Sequence, residues 1–274
     1  MSYKVNGFIT TDKEFPSYEK RLSICLTPNG FSFSLTTIKD QLITFGEALH
    51  SGTTDMASLS NDIKEVFKQL SIQSFGFASI ELVVPSDLST WIPDSLYEDD
   101  LKSSYLRLLA PSVQVGHLVF ADHSSSIGAY QIFTADGTVA TAFKIALPGI
   151  VVRSQHSKLA ETDVVGLGVP CMLAYIRDGK VDIAVFNAGR FVLSNTFCAT
   201  SDKDILSVTL DVMHQLQIET PSTTLFLCGN VGRDTYMSLR NYFPQVKLYT
   251  GRRYSFVNPE FQHLHSYQHV LTLI

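Results

Sequence analysis

Two neighbouring stretches near the N-terminus alternate apolar and polar residues. Residues 22–26 place apolar side chains at every second position, the period of a β-strand, and residues 31–36 repeat this pattern. Asn29 and Gly30 separate the two stretches, and Asn-Gly is a strong signal for a tight hairpin turn because glycine accepts a positive φ. Residues 42–45 predict a third strand. The start of the chain therefore predicts an antiparallel meander of three strands.

The same pattern recurs later in the chain. Residues 172–176 and 181–185 alternate in the same phase and lie 150 residues beyond their counterparts, and Asp178 and Gly179 separate them. Residues 190–197 predict the third strand of this second meander. Because the offset, the phase and the turn position agree, the pattern indicates that one structural unit occurs twice.

Amphipathic segments continue both copies. Residues 54–70 and 201–216 carry apolar side chains at the spacing of one helical face, so each predicts a helix. Ser201 and Asp204 begin the second of these helices with the pattern of a capping box. Each helix is followed by a short strand and another helix, and the second copy then closes with a strand, at residues 80–84, 96–109, 224–228, 234–243 and 246–249.

The region between the copies repeats less clearly. Residues 117–121 and 129–133 predict a hairpin, which places an insertion around residues 115–135 of the first copy. Residues 137–147 predict a helix that ends at a Pro-Gly pair, and residues 150–153 predict the strand that completes the first sheet.

The element order of each copy, β-β-β-α-β-α-β, gives the fold class. Hairpin strands joined to a strand that follows a helix predict an α/β fold with mixed sheets and helices packed on them. We expect two duplicated domains, a first at residues 1–168 that carries the inserted hairpin and a second at residues 169–274. Coincidence between two ordinary α/β stretches is the alternative.

Composition narrows the classes of function. The chain has 274 residues, of which 45% are hydrophobic and 17% are charged, and its formal net charge is −5. Nucleic acids and anionic membranes require clustered positive charge, so neither is an expected partner. No segment approaches the roughly 20 apolar residues of a membrane span, and residues 1–11 lack the apolar region of a secretion signal. We expect a cytoplasmic protein.

The cysteines give no sign of redox or zinc chemistry. All four, Cys25, Cys171, Cys198 and Cys228, lie in strand-like apolar runs, and no two form a CxxC pair. We therefore expect buried, reduced thiols.

Two clusters of polar residues suggest chemistry that their surroundings do not support. His265 and His269 have the spacing of a metal-binding pair on a helix, but no carboxylate or cysteine accompanies them, which favours surface histidines. His117 and Asp122 flank the serines at 124–126, but the Gly-x-Ser-x-Gly turn of a hydrolase is missing.

Aromatic and apolar residues after the strand at 80–84 permit two interpretations. Trp91 and Leu96 follow the strand at 80–84, and they belong either to a larger core or to an apolar patch that docks a partner. We assign each residue individually to the core, and we expect a protein partner whose identity the sequence does not give.

The order of elements resembles that of the actin-like ATPase superfamily, in which two duplicated ribonuclease-H-like domains face each other. That superfamily includes sugar kinases, heat-shock ATPases and pilus-assembly proteins. More narrowly, the chain is similar to a family of uncharacterised Bacteroidetes proteins with this fold. The resemblance covers essentially the whole chain in element order and rests on weak sequence motifs. It implies ATP in the cleft between the domains, with each hairpin turn supplying a carboxylate that holds hydrated Mg²⁺.

The resemblance also implies which residues of this chain would surround a nucleotide. The two hairpin turns would hold the phosphates, and a turn between the strand at 224–228 and the helix at 234–243 would accept the adenosine. These residues would be Asn29, Gly30, Asp178, Gly179 and Lys180 at the phosphates and Gly229, Asn230 and Gly232 near the adenine.

Both hairpin turns depart from the pattern that the resemblance requires. Pro28 stands where the first turn needs an acidic residue, and Arg177 stands where the second turn needs one. Proline has no N–H to offer a phosphate, and without a carboxylate Mg²⁺ loses its protein anchor. Arg177 or Lys180 can still contact phosphate directly, so ATP with Mg²⁺ stays a candidate ligand.

These departures favour a protein without catalytic residues. The first hypothesis is an interaction or assembly scaffold with a degenerate nucleotide site and no metal of its own. The alternative is an ATP-binding switch or a small-molecule kinase with atypical phosphate-binding turns. Fold similarity alone does not decide between them, because one architecture serves many functions.

Overall fold

A computed structural model provides the fold. It describes residues 3–9, 15–50, 56–69, 76–110, 113–162, 168–177, 179–249 and 255–256. The helices in these ranges are α1 (Met56–Gln69), α2 (Lys102–Arg107), α3 (Gly137–Ala146), α4 (Gln155–Ala160), α5 (Asp202–Gln215) and α6 (Arg233–Arg240). The strands are β1 (Tyr3–Ile9), β2 (Lys20–Thr27), β3 (Gly30–Thr37), β4 (Gln41–His50), β5 (Ser79–Val84), β6 (Ser89–Pro93), β7 (His117–Ser124), β8 (Ala129–Asp136), β9 (Val151–Ser154), β10 (Cys171–Arg177), β11 (Lys180–Asn187), β12 (Arg190–Cys198), β13 (Thr224–Gly229), β14 (Gln245–Leu248) and β15 (Ser255–Phe256).

Two mixed sheets with the same strand order form the body of the molecule. In the first sheet β4, β3, β2, β5 and β9 follow one another, and β1 and β15 both pair with β4. The second sheet has the order β12, β11, β10, β13 and β14. In both sheets the first three strands are antiparallel and the last two are parallel additions. The predicted duplication and the mixed α/β class are therefore confirmed.

Each sheet and its helices form what we call a lobe. In the first lobe, α1 and α3 pack together against the sheet, and the ring centroids of Phe31 and Phe143 lie 5.2 Å apart in an edge-to-face contact. In the second lobe, α5 and α6 cover the sheet around fully buried Leu225 and Phe243. The capping box that begins α5 is present, because Ser201 and the third helical residue exchange hydrogen bonds.

A third apolar cluster joins the lobes. Cys25 and Val83 of the first sheet, Leu159 of α4, and Leu173 and Phe186 of the second sheet lie in one buried group. We call this group the seam. Because separating the lobes would expose these side chains to water, the seam opposes opening of the molecule.

The chain departs from the predicted elements between β5 and β8. The predicted helix at 96–109 is present only in part, as the short α2, and 3-10 turns at Asp94–Leu96 and Asp99–Leu101 precede it. Tyr97 and Glu98 between the turns are extended, and the Tyr105 hydroxyl accepts a bond from the Glu98 N–H at 2.9 Å.

This segment belongs to an insertion that is larger than a hairpin. Strand β6 pairs with β8, so β6, β8 and β7 form a separate three-stranded sheet against which α2 packs. Helix α3 therefore takes the place of the second helix in the first copy. The domain limits at residues 168 and 169 stay a prediction, since residues 163–167 lie outside the described residues.

The cysteines divide into two groups. Cys25, Cys171 and Cys228 are buried as predicted, and burial raises the pKa of the Cys25 thiol to about 12 and that of Cys171 to about 11. The prediction is wrong for Cys198, which is exposed. It is the last residue of β12, which lies at the edge of the sheet and has a neighbouring strand, β11, on one side only among the described residues.

No helix in the described ranges is long and apolar enough to cross a membrane.

The turn after β13 gives a test of the close packing at the centre of the second sheet. Gly229 has φ +82°, and a Cβ there would lie 2.1 Å from the carbonyl oxygen of Ile176, whereas Gly149 has φ +89° and open space around it. We expect Gly229→Ala to lower the free energy of unfolding by about 3 kcal/mol or more, since a clash adds to backbone strain. Gly149→Ala should cost only the strain, about 1–2 kcal/mol. Urea denaturation measures both, and equal losses would contradict the close approach.

Candidate functional site

A cavity of about 370 Å³ lies between the lobes, where the first hairpin turn, the loop after β5 and the end of β10 meet. Pro28 lines it from the first turn, Ser86 and Asp87 from the loop, and Arg177 and Lys180 from the second lobe. The two hairpin turns therefore face one cavity, as the resemblance to the actin-like superfamily implies.

Ion pairs cross this cavity. The Lys180 ammonium contacts the Asp87 carboxylate, and Arg177 Nη2 lies 3.6 Å from Asp87 Oδ1. Burial alone would raise the pKa of Asp87, but the hydrogen bond and the charge of Lys180, together with Arg177, lower it. Among the described residues, the two cations that line the cavity, Arg177 and Lys180, are thus both paired with Asp87 of the opposite lobe.

A second carboxylate, Asp182 of β11, lies fully buried behind the cavity. Arg177 donates to it twice, from Nε at 2.5 Å and from Nη2 at 3.1 Å. The Gln155 amide and the Thr196 hydroxyl also donate to it. Burial disfavours the charge of Arg177, but the Asp182 carboxylate more than compensates and raises the pKa of the guanidinium.

Helix α4 provides the contact between the first lobe and the buried Asp182 carboxylate. Ser154 caps the helix by accepting a bond from the His156 N–H at 3.1 Å, and Gln155 then reaches Asp182. His156 Nε2 lies 3.0 Å from Thr196 Oγ1. Because the Thr196 hydroxyl hydrogen is directed to Asp182, the histidine donates from Nε2.

Burial keeps His156 neutral. The side chain is 1% exposed, and its Nδ1 has no hydrogen-bond partner among the described residues. Burial lowers the pKa of the imidazole, although the charge of Asp182 acts in the opposite direction. A proton at Nδ1 would be a buried donor without an acceptor, which adds to the cost of the charged form.

The insertion contacts the second lobe at a separate place. Trp91 Nε1 donates to Ser194 Oγ at 3.0 Å, and the Trp91 ring lies 5.1 Å from the ring of Phe191. On β7, at the other edge of the three-stranded sheet, Asp122 instead accepts a bond from Arg153 Nε of β9 in the first lobe at 2.8 Å. Trp91 is therefore half-buried at the junction with the second lobe.

The residues predicted for phosphate contact fall partly at the cavity. Lys180 lines it, whereas Asn29, Gly30 and Gly179 lie on the turns outside the lining. Asp178 lies outside the described residues.

The residues predicted for adenine contact form one turn beside the second hairpin. The Asn230 N–H donates to the Ile176 carbonyl at 2.7 Å, which ties the turn that begins at Gly229 to the end of β10. Gly232 is the residue before α6. None of the three lines the cavity, and their contact with a nucleotide stays a prediction.

Sequence reasoning missed the residues that dominate the site. Asp87 carries no motif, and Gln155 and His156 belong to a helix too short to show periodicity. Asp182 gave the one available signal, since it is a lone acid between Val181 and Ile183 in an apolar strand.

The other clusters do not assemble catalytic arrangements. Asp122 is held by Arg153 and by the Ser154 N–H, and His123 pairs with Asp94 at 3.2 Å. Within the described ranges no group of three or more His, Cys, Asp or Glu side chains is arranged to hold a metal ion. The histidines at 263–269 lie outside those ranges.

Comparison with protein families shows to which family the chain belongs. The model of the family described as "Protein of unknown function (DUF3822)" matches residues 11–246. The chain belongs to this family. No curated protein matches the chain.

Solved structures agree with the architecture. A Bacteroides thetaiotaomicron protein described as having an actin-like ATPase fold and unknown function is 23% identical, with a TM-score of 0.73 over 85% of this chain and 91% of that one. PilM in the PilM–PilN type IV pilus biogenesis complex is 10% identical, with a TM-score of 0.55 over 94% and 96%. The ethanolamine utilization protein EutJ from Carboxydothermus hydrogenoformans is 8% identical, with a TM-score of 0.51 over 88% and 87%. The chain therefore has an actin-like ATPase fold.

The buried carboxylate can be tested by removing its charge. In Asp182→Asn the guanidinium of Arg177 loses its buried counter-charge, so we expect the free energy of unfolding to fall by about 3–5 kcal/mol. The control Asp211→Asn makes the same change on an exposed face of α5 and should cost less than about 0.5 kcal/mol. Guanidinium chloride denaturation measures both variants. A small loss in Asp182→Asn would show that the lobes do not depend on this charge.

His156 predicts a pH dependence of stability. Its pKa is lowered on folding, so the unfolded chain binds more protons below its ordinary pKa of about 6.5. The stabilising contribution of the neutral imidazole is complete above that pH and is lost as the pH falls towards the folded-state pKa. We expect the free energy of unfolding to decrease from pH 7 to pH 5 (about half a unit above to about one and a half units below the ordinary pKa) less steeply in His156→Gln than in the wild type. Parallel curves would contradict this assignment.

Proposed function

We propose that this protein is a non-catalytic interaction or assembly scaffold built on an actin-like fold. The observation that carries the proposal is the pairing of Arg177 and Lys180 with Asp87 and Asp182. In a nucleotide cleft, cations in these positions would be available to phosphates. Here a phosphate would have to displace an internal carboxylate from each cation, which costs binding free energy.

The first hairpin turn supports the same proposal. Its residues 27–29 are Thr, Pro and Asn, which provide neither a carboxylate for hydrated Mg²⁺ nor, at Pro28, an N–H for phosphate. The carboxylates that line the cavity are already engaged, since Asp87 pairs with Lys180 and Asp136 accepts the Val139 N–H at the start of α3. The described residues that line the cavity therefore do not fit a Mg²⁺–triphosphate.

The seam supports a static role for the lobes. A nucleotide-driven cycle opens and closes a cleft, and such motion requires an interface with few buried apolar contacts. In this chain Val83, Leu173 and Phe186 are fully buried between the lobes. Two lobes held at a fixed relation suit a protein that presents a surface to a partner.

A protein of the same fold supports the proposal that this chain takes part in an assembly. PilM, which has the same fold, occurs in its solved structure in complex with PilN. An actin-like chain can therefore serve as one component of a protein complex. We extend this role to the present chain as a proposal, and its partner is a protein.

Thermal unfolding with and without Mg·ATP tests the proposal. A ligand at 100 times its Kd adds about 2.7 kcal/mol to the stability of the folded state, so binding at cellular concentrations would raise the Tm by several degrees. We expect no change in Tm for the wild type at ATP concentrations up to about 5 mM. A clear rise would contradict the proposal.

The variant Asp87→Ala tests whether the ion pair of Lys180 with Asp87 is what prevents phosphate binding. It leaves Lys180 without its carboxylate, so we expect stabilisation by inorganic triphosphate, added without Mg²⁺, to appear in this variant. Asp211→Ala removes an equal charge away from the cavity and should behave as the wild type does.

A further inference from the structure

The insertion between β5 and α3 leaves large apolar side chains in solvent. Leu108 and Val115 are 83% and 98% exposed. With four further exposed leucines of the same insertion they form what we call the apolar face, which consists of Leu96, Leu101, Leu108, Leu109, Val115 and Leu118. Their concentration in one short segment distinguishes them from the single exposed apolar residues of an ordinary surface.

The packing of α2 explains why these side chains are exposed. Leu106 is fully buried and holds α2 against the three-stranded sheet. Leu101 and Leu108 are seven residues apart, two helical turns, and a 3-10 turn runs directly into the helix, so both lie on one side of it. That side is directed away from the sheet.

Contacts within the insertion hold this face in place. The rings of Tyr97 and Tyr130 stack with centroids 3.6 Å apart, and the Tyr105 hydroxyl donates to the Leu96 carbonyl at 2.8 Å. A face fixed before binding loses little conformational entropy when a partner docks.

The charge of the insertion is strongly one-sided. Residues 85–136 contain seven acidic and two basic residues, a formal charge of −5, so the rest of the chain is formally neutral. Asp87 and Asp122 are paired with cations outside the insertion. Glu98 and Asp100 are exposed and lie just before Leu101, whereas Asp99 between them pairs with Lys102 Nζ at 3.1 Å. The apolar face is therefore bordered by negative charge.

We propose that the apolar face of the insertion docks a protein segment whose apolar residues are flanked by lysine and arginine. The apolar side chains would cover the leucines, and the basic residues would meet the carboxylates of Glu98 and Asp100. The proposal rests on the proposed scaffold function and names the chemistry of its partner. A second copy of the chain would bring like charges together, and an anionic membrane would be repelled.

Binding of defined peptides tests the proposal. The probe is a fluorescently labelled amphipathic peptide of leucine and lysine, titrated with the full-length protein at physiological ionic strength and followed by anisotropy. A peptide with glutamate in place of lysine is the comparison. We expect saturable binding of the leucine–lysine peptide and at least about tenfold weaker binding of the leucine–glutamate peptide.

Surface variants then locate the bound peptide. Leu101→Ser with Leu108→Ser, and separately Glu98→Lys with Asp100→Lys, should each weaken binding about tenfold or more. The controls make equivalent changes elsewhere, Met237→Ser with Leu248→Ser and Asp211→Lys with Glu219→Lys, and should bind as the wild type does. All of these residues are exposed, so circular dichroism and Tm should confirm an unchanged fold.

Three results would overturn the proposal. Equal loss of binding in the control variants would show attraction to the overall negative charge alone. Concentration-dependent dimerisation in sedimentation velocity that the leucine variants abolish would show that a second copy covers the face. Preferential binding to phosphatidylglycerol vesicles would identify a membrane instead. None of these measurements depends on ATP, so a failure of the scaffold proposal in the Mg·ATP experiment is recognised separately.

Discussion

The relation between the two lobes depends on one buried carboxylate. Asp182 has no access to water, and a charge in that position is tolerated only while its donors remain in place. Arg177 comes from the neighbouring strand and Thr196 from the edge strand, but Gln155 comes from the short helix that follows the last strand of the first sheet. Moving the lobes apart would remove that donor and expose the seam at the same time.

This constraint also accounts for the state of the cleft. The Arg177 guanidinium faces the cavity and also neutralises Asp182, so a ligand would have to compete with that buried carboxylate for it. Lys180 is engaged in the same way by Asp87 on the opposite lobe. If the proposed function is correct, the duplicated architecture is retained, but Arg177 and Lys180 bind carboxylates of the protein where a nucleotide-binding relative would bind phosphate.

The repeated elements could be predicted because their signals are local. Alternation at residues 22–26 and 172–176, the turn glycines and the capping box at Ser201 each fix structure over a few residues, and all agree with the fold. The insertion could not be predicted in the same way. The segment at 96–109 has helical spacing, but Tyr97 and Glu98 are extended because tertiary contacts outweigh local preference.

Only part of the candidate site could be predicted from the sequence. Pro28 and Lys180 lie on hairpin turns that the repeat located, so their arrival at one cavity followed from the duplication. Asp87 lies in a loop and Gln155 lies in the short helix α4. Only the packing of the folded chain brings each of them to its partner. Hydrophobicity assigns Leu96 to the core, but the side chain is 66% exposed, because hydrophobicity alone does not separate a core from a binding face.

The path of the chain has a mechanical consequence. It leaves the first sheet after β9, builds the second lobe, and returns to pair β15 with β4 of the first sheet. The second lobe is thus tethered at two points instead of one. Two attachments oppose rotation about a single linker, so the pairing of β15 with β4 adds to packing in setting the orientation of the second lobe.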